Sequence, residues 1–451
     1  MTETQATRPR NAVQLLWWPF QKFAQLQSAS SILLILCTLA ALAWANSLWG
    51  DAYHHFKEFP VGLNLGGVPM MLNVELFVND ALMAVFFLLV GLEIKREMLA
   101  GELASLKQAA LPIMAAVGGM LAPAGIFLVW NHGLSSAHGW GIPMATDIAF
   151  ALGVMTLLGK RVPIGLKVFL VALAIIDDIG AILVIAIFYT NKLNLPSLFV
   201  ALGILLTLVY LNRSQVKHPA PYLIGGLFLW IAVFHSGIHA TIAGVLLAFC
   251  IPHKAKLREE EFAPRVNAAL EKYRAGELKA GSILDDCRVE AIHELEATCE
   301  GVEPLLQRLE SKLHHIVSFG ILPLFALVNA GVEFSPEVTH VLVEPLGLGI
   351  LMGLVLGKPI GITLFAWLAV RFKMAALPAG TTWAQVAGAG MLGGIGFTMS
   401  IFIAGLGLPG HDMLDGAKLT ILVSSILAGA SGYLVLRLLG RKAVRDAAEA
   451  T

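Results

Sequence analysis

Charge is scarce in this chain. Only 14% of its 451 residues are charged, 57% are hydrophobic, and the formal net charge is zero. Several long stretches contain no Asp, Glu, Lys or Arg at all, among them residues 27–50, 108–146, 374–411 and 419–436. This composition excludes a soluble domain, and the balanced charge gives no indication of a nucleic-acid partner. We therefore expect a polytopic membrane protein whose surroundings are the lipid bilayer.

Cysteine is scarce as well. The four cysteines form no set with metal-ligand spacing, and two of them fall within or beside apolar stretches. We therefore expect neither a cysteine metal site nor disulfides.

Apolar segments of spanning length recur along the chain. Breaks at charged or Pro/Gly-rich positions predict an all-α protein of about 12 transmembrane helices, since a span needs about 20 apolar residues. The predicted spans lie near 31–50, 74–94, 109–130, 141–159, 166–190, 195–212, 220–235, 237–252, 314–332, 346–370, 386–407 and 419–439. The resulting domains are an N-terminus 1–30, spans one to eight over 31–252, a polar loop 253–313, spans nine to twelve over 314–440 and a tail 441–451.

Lysine and arginine are concentrated in alternate segments between these spans. Both termini and every second segment are basic, whereas the intervening segments hold only Lys57, Lys192 and Lys418. The positive-inside rule then predicts cytoplasmic termini, a cytoplasmic loop 253–313 and an even number of spans.

Two segments outside the spans have recognisable patterns. Residues 60–73 alternate around Gly66 and Gly67, which predicts a short extracytoplasmic hairpin. In the loop 253–313, apolar residues recur at spacings of three and four, which predicts an amphipathic helix interrupted or restarted at Gly301 and Pro304. The seam residues are Ile292, Leu295, Cys299, Val302, Leu306, Leu309 and Leu313. Such a helix either lies on the protein's own surface or serves as a subunit contact or regulatory arm.

Asp177 and Asp178 are adjacent inside the apolar run 168–188. A carboxylate at mid-membrane depth costs about 2.5–3.5 kcal/mol on insertion scales, and such residues usually mark an ion or proton path. The alternative is a packed structural acid that is neutralised by protonation. That alternative suits one buried acid better than two neighbours, because adjacent carboxylates repel each other.

Asp147 and Lys358 are the other ionisable residues at membrane depth. An isolated lysine in an apolar span is costly, so a carboxylate partner is expected. Because neighbouring residues on a helix diverge by about 100°, we expect one of the paired acids to contact Lys358 and the other to face a water-filled cavity. Carboxylate, hydroxyl and carbonyl oxygens suit a small hard cation, and the same carboxylates can hold protons.

Two predicted spans are rich in glycine. Residues 139–153 contain Asp147, and residues 388–405 repeat the spacing of a Gly-Ile pair followed by a polar residue. Interrupted spans at corresponding places of two halves are typical of the broken helices at a transporter's binding site. Glycines that only allow close helix packing are the alternative for the second segment.

Together these segments resemble the NhaA-type bacterial sodium/proton antiporter family. The resemblance runs from about the first span to the last through residues 79–97, 145–153, 172–181, 236–244, 321–326, 357–361 and 394–404. It implies inverted-topology repeats, two interrupted helices that cross at mid-membrane, a homodimer, a location in the bacterial inner membrane and no cofactor. The transported species would be Na+ or Li+ and protons.

The resemblance also implies roles for individual residues. Asp178 is expected as the principal cation ligand, with Asp177 facing the membrane lysine Lys358. Thr146 and Asp147 are expected at the crossing of the broken helices, where Asp147 neutralises opposing helix ends.

A charged cluster that sets the pH response is implied near the cytoplasmic side. Its residues here are Glu93, Arg96, Glu97, Glu310 and His314. The segment 93–97 taken alone is more typical of a solvated helix end. The chain departs from the family pattern at Ser311, where a histidine is common, and at His315, an additional histidine. The loop 253–313 is also longer than usual.

The sequence therefore predicts a transporter rather than an enzyme. The expected function is electrogenic, pH-regulated Na+(Li+)/H+ exchange by alternating access, which serves sodium and pH homeostasis. A sodium-coupled symporter of an organic anion is the alternative. An intramembrane aspartyl protease would also need two aspartates, but its Gly-x-Gly-Asp element is absent from the sequence.

Overall fold

The computed structural model describes residues 12–65, 68–190, 193–275 and 285–449. The predicted hairpin tip at Gly66 and Gly67, the basic residue Lys192 and part of the loop 253–313 lie outside these ranges. Two compact units are present: Met1–Leu82 with Ala100–Tyr189 and Ser318–Thr451, and Met83–Leu99 with Thr190–Val317.

Helices make up most of the described chain. The α-helices are Ala12–Ala45, Gly50–Glu58, Val74–Leu76, Met83–Ala100, Leu106–Asn131, Ile148–Leu157, Ile164–Phe188, Leu195–Arg213, Pro219–Phe234, Ile242–Cys250, Glu259–Ala275, Asp286–Val302, Leu305–Ile316, Leu322–Asn329, Pro336–His340, Pro345–Met352, Lys358–Arg371, Trp383–Gly393, Phe397–Gly407 and His411–Glu449. The 3₁₀ segments are Ser135–Met144, Gly159–Arg161 and Val341–Val343, and the π-helical segments are Phe77–Leu82, Val317–Ile321 and Gly353–Gly357.

Seven of the described helices are long and apolar enough to cross a membrane, and the number rises to ten if each of three bent helix pairs is one span. The chain is thus an all-α polytopic membrane protein. Two helices at predicted spans do not reach the full length, since Pro219–Phe234 has 16 residues and Ile242–Cys250 has 9. At about 1.5 Å per residue neither covers the ~30 Å hydrocarbon core. The count of twelve stays a prediction.

The predicted hairpin over residues 60–73 is present. Strands Pro60–Leu65 and Val68–Asn73 pair antiparallel, with Pro60 opposite Asn73 and Leu65 opposite Val68. Asn73 then caps the next helix, because its side chain accepts a hydrogen bond from the Leu76 N–H at 2.7 Å. The extracytoplasmic position of the hairpin stays a prediction.

The loop 253–313 contains two complete helices, Glu259–Ala275 and Asp286–Val302, which pack against each other, and the start of a third, Leu305–Ile316. The chain leaves the second helix at Glu303 and Pro304, as the sequence indicated. The predicted seam is confirmed in part: Leu306 and Leu309 are buried, Cys299 is exposed, and the other seam residues are half-buried, namely Ile292, Leu295, Val302 and Leu313. Ala291, Thr298 and Gly301 are also buried on the second helix, so the apolar spacing alone did not locate its buried face in full.

The helix that carries Lys358 is held unusually close to the Leu106–Asn131 helix. A Cβ atom on Gly118 would overlap the carbonyl oxygen of Gly361, and one on Gly361 would overlap that of Gly118. Gly119, the next residue, lies beside the Lys358 stem, since its Cβ would be 3.8 Å from Lys358 Cδ. Small residues at helix contacts permit this approach in membranes. The glycine pair therefore fixes the position of the lysine.

Replacing Gly361 with alanine tests this contact. We expect Gly361→Ala to lower the free energy of unfolding by about 1–3 kcal/mol, because overpacking forces the helices apart. Thermal unfolding of the detergent-purified protein measures the loss. Gly125→Ala on the partner helix is the matched control, since a Cβ there meets nothing within 4 Å. Equal stability of the two variants would contradict the assignment.

Candidate ion-binding site

Both glycine-rich segments contain a helix break, and both breaks lie in the first unit. The segments are Ser135–Met144 followed by Ile148–Leu157 at 41°, and Trp383–Gly393 followed by Phe397–Gly407 at 49°. The Asp147 N–H donates to the Ile395 carbonyl at 2.6 Å, which joins the two breaks directly. Gly394 also serves close packing, because a Cβ there would overlap the Leu354 carbonyl oxygen. A broken helix exposes backbone groups and their partial charges at membrane depth.

Asp147 caps the helices that begin after both breaks. Its Oδ1 accepts a hydrogen bond from the Phe150 N–H at 3.1 Å, at the start of Ile148–Leu157. Its Oδ2 accepts from the Thr398 N–H at 3.2 Å and from the Thr398 hydroxyl. A carboxylate is favoured at a helix N-terminus because the macrodipole is positive there. One side chain thus balances two helix ends that point at the same region.

Lys358 contacts one of the two adjacent aspartates. Its Nζ donates to Asp177 Oδ2 at 2.5 Å and to Thr146 Oγ1 at 2.8 Å, and both charged side chains are fully buried. The Thr146 hydroxyl lies 2.7 Å from Asp177 Oδ2 and 2.8 Å from the carbonyl oxygen of Gly393, where the helix before the second break ends. The lysine, the acid and the broken helices therefore form one hydrogen-bonded group. A π-helical segment, Gly353–Gly357, immediately precedes the lysine, and such segments are frequent at functional sites.

The other oxygen of Asp177 is a candidate ligand atom. Asp177 Oδ1 is buried, and no donor in the described part of the chain gives it a hydrogen bond. Leaving a buried carboxylate oxygen without a partner is costly. A proton or a small hard cation supplies the missing interaction, since such cations prefer oxygen ligands. Asp178, 5% exposed, is the next residue along the same helix.

The charge balance of this site is negative when its groups are ionised. Three carboxylates, those of Asp147, Asp177 and Asp178, accompany a single lysine. Bound protons or a bound cation would reduce that imbalance.

Thr398 and Ser400 were not singled out in the sequence as site residues. Thr398 supplies two donors to Asp147, and Ser400 donates to the Ile142 carbonyl at 2.8 Å across the two broken segments. The available signal was the position of two hydroxyl residues just after the glycine-rich break, where a cap or a cross-link is needed.

The five residues of the predicted charged cluster lie together in the second unit. Arg96 Nε is 3.2 Å from Glu310 Oε1, and Arg96 Nη2 is 2.9 Å from Glu97 Oε1. His314 Nδ1 is 3.7 Å from Glu93 Oε1. The side chains of the three glutamates and His314 are only 14–22% exposed. The cluster is therefore a half-buried network rather than a solvated helix end.

The helix Met83–Ala100, which carries Glu93, Arg96 and Glu97, also carries a buried lysine that was not predicted as a site residue from the sequence. Lys95 donates to the carbonyl oxygens of Phe249 at 2.7 Å, Ile251 at 2.5 Å and Ala248 at 3.3 Å. These are the last carbonyls of the Ile242–Cys250 helix and the residue after it. A cation there satisfies orphan acceptors and the negative end of the helix dipole. Lys95 therefore anchors the cluster-bearing helix to its neighbour.

Comparison with known proteins agrees with the family resemblance seen in the sequence. The family model described as Na+/H+ antiporter 1 matches residues 21–436. The Na(+)/H(+) antiporter NhaA of Oleidesulfovibrio alaskensis is 48% identical over 94% of this chain and 94% of its own length. The NhaA proteins of Koribacter versatilis, at 47% over 94% and 92%, and Helicobacter hepaticus (NhaA 2), at 46% over 92% and 94%, are similar to it over nearly the same extent.

A double-substitution cycle tests the buried pair. Lys358→Gln alone leaves Asp177 buried without its countercharge, and we expect it to lower the free energy of unfolding by about 3–5 kcal/mol. Adding Asp177→Asn removes the uncompensated charge, so the double variant should regain part of that loss. Thermal unfolding in detergent measures each variant. Losses that simply add would show that the two groups do not interact.

Proposed function

Because the chain belongs to the Na+/H+ antiporter 1 family, we propose that it exchanges Na+ or Li+ for protons across the bacterial inner membrane. The observation that carries this proposal is the buried Asp177–Asp178 pair beside Lys358 and the hydrogen-bonded contact between two broken helices. The organic-anion symporter gains no support from the three relatives named above, each of which is named a Na+/H+ antiporter.

In this proposal the exchange rests on competition for the same oxygens. Asp178 is the principal cation ligand, and Asp177 contributes its second oxygen, Oδ1. Protons bound to these acids exclude the cation, and the cation excludes the protons. When the site opens to the cytoplasm, Na+ displaces protons; when it opens outward, protons displace Na+. Alternating access of one site then gives exchange without a cofactor or a chemical reaction.

The stoichiometry that we propose is more than one proton per cation. Two acids can each bind a proton, whereas one cation occupies both, so net charge crosses the membrane in each cycle. The proton gradient then drives sodium export, which would serve sodium and pH homeostasis. Because strongly coupled acids titrate as a pair, the protons belong to the pair rather than to one residue.

Lys358, Thr146 and Asp147 have positioning roles in this scheme. Lys358 holds Asp177 at 2.5 Å and so orients its second oxygen. Thr146 links that carboxylate to the broken helix end through Gly393. Asp147 balances the helix N-termini rather than binding the ion.

For the topology we propose twelve spans with inverted-topology repeats, cytoplasmic termini and the domain boundaries predicted above. The helix that carries Glu310 begins at Leu305 and continues to Asn329, so the proposed boundary at 313/314 falls inside a continuous helix. A homodimer is proposed as the assembly.

The charged cluster of the second unit is proposed to set the pH response. Its members lie within 4 Å of one another in pairs, so protonation of one changes the charge that its neighbours experience. Such coupled, half-buried groups respond steeply to pH.

Removing the proposed cation ligand tests the function. We expect Asp178→Asn to abolish Na+-induced dissipation of the pH gradient in everted membrane vesicles, a loss of about 100-fold or more, because the neutral amide cannot exchange a proton for a cation. Asp51→Asn, at an exposed acid, is the control and should retain wild-type exchange.

The vesicle assay distinguishes an error in the proposed function from an error in the proposed cation ligand. A silent wild-type protein at every pH would overturn the antiporter assignment. An active Asp178→Asn variant would leave the function intact and exclude Asp178 as the essential carboxylate.

Substitutions in the charged cluster test its role, because the charge removed determines the direction in which the activity–pH midpoint shifts. Arg96→Gln removes a positive charge, so the remaining groups bind protons more tightly and the midpoint of the activity–pH profile should rise by about half a unit or more. Glu310→Gln removes a negative charge and should lower it. Vesicle assays across pH measure both midpoints.

The control pair is Arg265→Gln and Glu261→Gln, which removes a comparable ion pair on the exposed loop helix. Shifts of the same sign in both cluster variants, or equal shifts in the control, would show that the cluster does not set the response.

A further inference from the structure

The helix Phe397–Gly407, which follows the second break, begins next to a glycine. Its N-cap residue is Gly396, and glycine offers no side-chain acceptor for the N–H groups of the first turn. A Cβ atom on Gly396 would overlap the Ser400 hydroxyl oxygen, and that hydroxyl donates to the Ile142 carbonyl. A capping side chain at this position would therefore displace a cross-link between the two broken segments. The acceptors for this helix start have to come from other elements of the fold.

Two other elements provide these acceptors. The Phe397 N–H donates to Ser425 Oγ at 3.1 Å, and the Thr398 N–H donates to Asp147 Oδ2 at 3.2 Å. Ser425 belongs to the last helix, His411–Glu449. The first two N–H groups of one helix are thus divided between a neutral hydroxyl and the carboxylate that also caps the first broken helix.

The last helix is held close to the second break by small residues. A Cβ atom on Gly432 would lie 3.1 Å from the Leu392 backbone nitrogen, and one on Gly394 would lie 3.2 Å from Ala428 Cβ. Ser425, Ala428 and Gly432 recur at spacings of three and four, so they lie on one face of the last helix. Because small residues allow backbones to approach closely, helix packing fixes the position of the Ser425 hydroxyl relative to the break.

The adjacent serine forms a different bond. Ser424 Oγ donates to the Thr420 carbonyl at 2.7 Å, within its own helix, which is a common arrangement for a serine inside a helix. Both serines are buried, with exposed fractions of 0% for Ser424 and 8% for Ser425. Two neighbouring residues thus have the same side chain and similar burial, but Ser425 bonds the broken helix.

We propose that Ser425 is a positioning residue of the ion site, on which it acts through Asp147. The inference rests on the proposed antiporter function. While Ser425 accepts the Phe397 N–H, the Asp147 carboxylate serves only Thr398 at this helix start. Without the Ser425 hydroxyl, the Phe397 N–H is a buried donor that has lost its acceptor, which is costly. The Asp147 carboxylate already lies at the next N–H group and is drawn toward it.

One peptide unit connects Asp147 to the proposed cation ligands. The preceding residue is Thr146, whose hydroxyl lies 2.7 Å from Asp177 Oδ2 and accepts from Lys358 Nζ at 2.8 Å. A shift of the Asp147 carboxylate toward Phe397 therefore moves the hydroxyl that orients Asp177. The N–H without an acceptor also adds positive potential beside the acids. Both effects weaken cation binding.

Transport kinetics of the full-length protein test the positioning role. The variants are Ser425→Ala and, as the matched control, Ser424→Ala, which removes the same atom from the adjacent residue. We expect Ser425→Ala to raise the KM for Na+ in everted vesicles about three- to tenfold, the effect of one neutral hydrogen bond, with a maximal rate within about twofold of wild type. Ser424→Ala should leave the KM within about twofold. A merely structural role would lower the maximal rate through loss of active protein and leave the KM unchanged.

Hydrogen–deuterium exchange of the purified protein reports the cap independently of transport. The peptide that contains Phe397 should exchange faster in Ser425→Ala than in wild type or in Ser424→Ala, because its first N–H loses an acceptor. If Ser425→Ala does not fold, Ser425→Cys is measured instead, with the same expected direction, since sulfur is only a weak acceptor.

The two measurements separate the possible errors. Unchanged amide exchange would show that Ser425 does not hold this N–H, and faster exchange with an unchanged KM would show that the cap is only structural. Either result overturns the proposal. A wild-type protein that transports no Na+ at any pH would remove the proposed function and the positioning role with it, whereas faster amide exchange in Ser425→Ala would still identify the cap.

Discussion

The ion pair between Lys358 and Asp177 is the interaction on which the first unit depends. Both groups are fully buried, and the desolvation of two charges exceeds their attraction unless geometry and further hydrogen bonds are favourable. Thr146 provides such a bond to each partner. The close approach of Gly118 and Gly361 sets the distance between the Leu106–Asn131 helix and the helix that carries the lysine. The helix break that positions Thr146 and the close glycine packing are thus requirements of one buried charge pair.

The two broken helices stabilise each other through shared groups. Interrupted backbone at membrane depth is tolerated only where its polar groups are satisfied inside the protein. Here Asp147 serves both N-terminal ends, its own N–H bonds the opposite break, and Thr146 reaches the carbonyl of Gly393. Neither break would satisfy its backbone alone. The result is a rigid, polar region inside an apolar bundle, where the backbone adds partial charges to those of the carboxylates.

It was possible to predict the apolar segments, the hairpin and the ionisable residues from the sequence, because each depends on local pattern or on the cost of charge in a membrane. Helix geometry indicated that only one of the two adjacent acids could contact Lys358. The family resemblance was needed to predict that this acid is Asp177, and the structure shows Asp177 in contact with the lysine. Thr398 and Lys95 were missed because Thr398 bonds the Asp147 carboxylate 251 residues away and Lys95 bonds backbone carbonyls 153–156 residues away. Cys299 was placed on the buried seam from the apolar spacing alone, whereas the buried residues of that helix are Ala291, Thr298 and Gly301.

Exchange rather than leak follows from the charge balance in the proposed mechanism. With one lysine beside Asp177 and Asp178, an empty and ionised site holds an excess negative charge in a region of low dielectric. Moving that charge through the closed bundle is costly. Protons or a cation on the acids lower that cost, so only loaded forms of the site cross between the two openings. Because the two cargoes compete for the same oxygens, each crossing carries one or the other. Coupling therefore requires no separate gate beyond the buried carboxylates themselves.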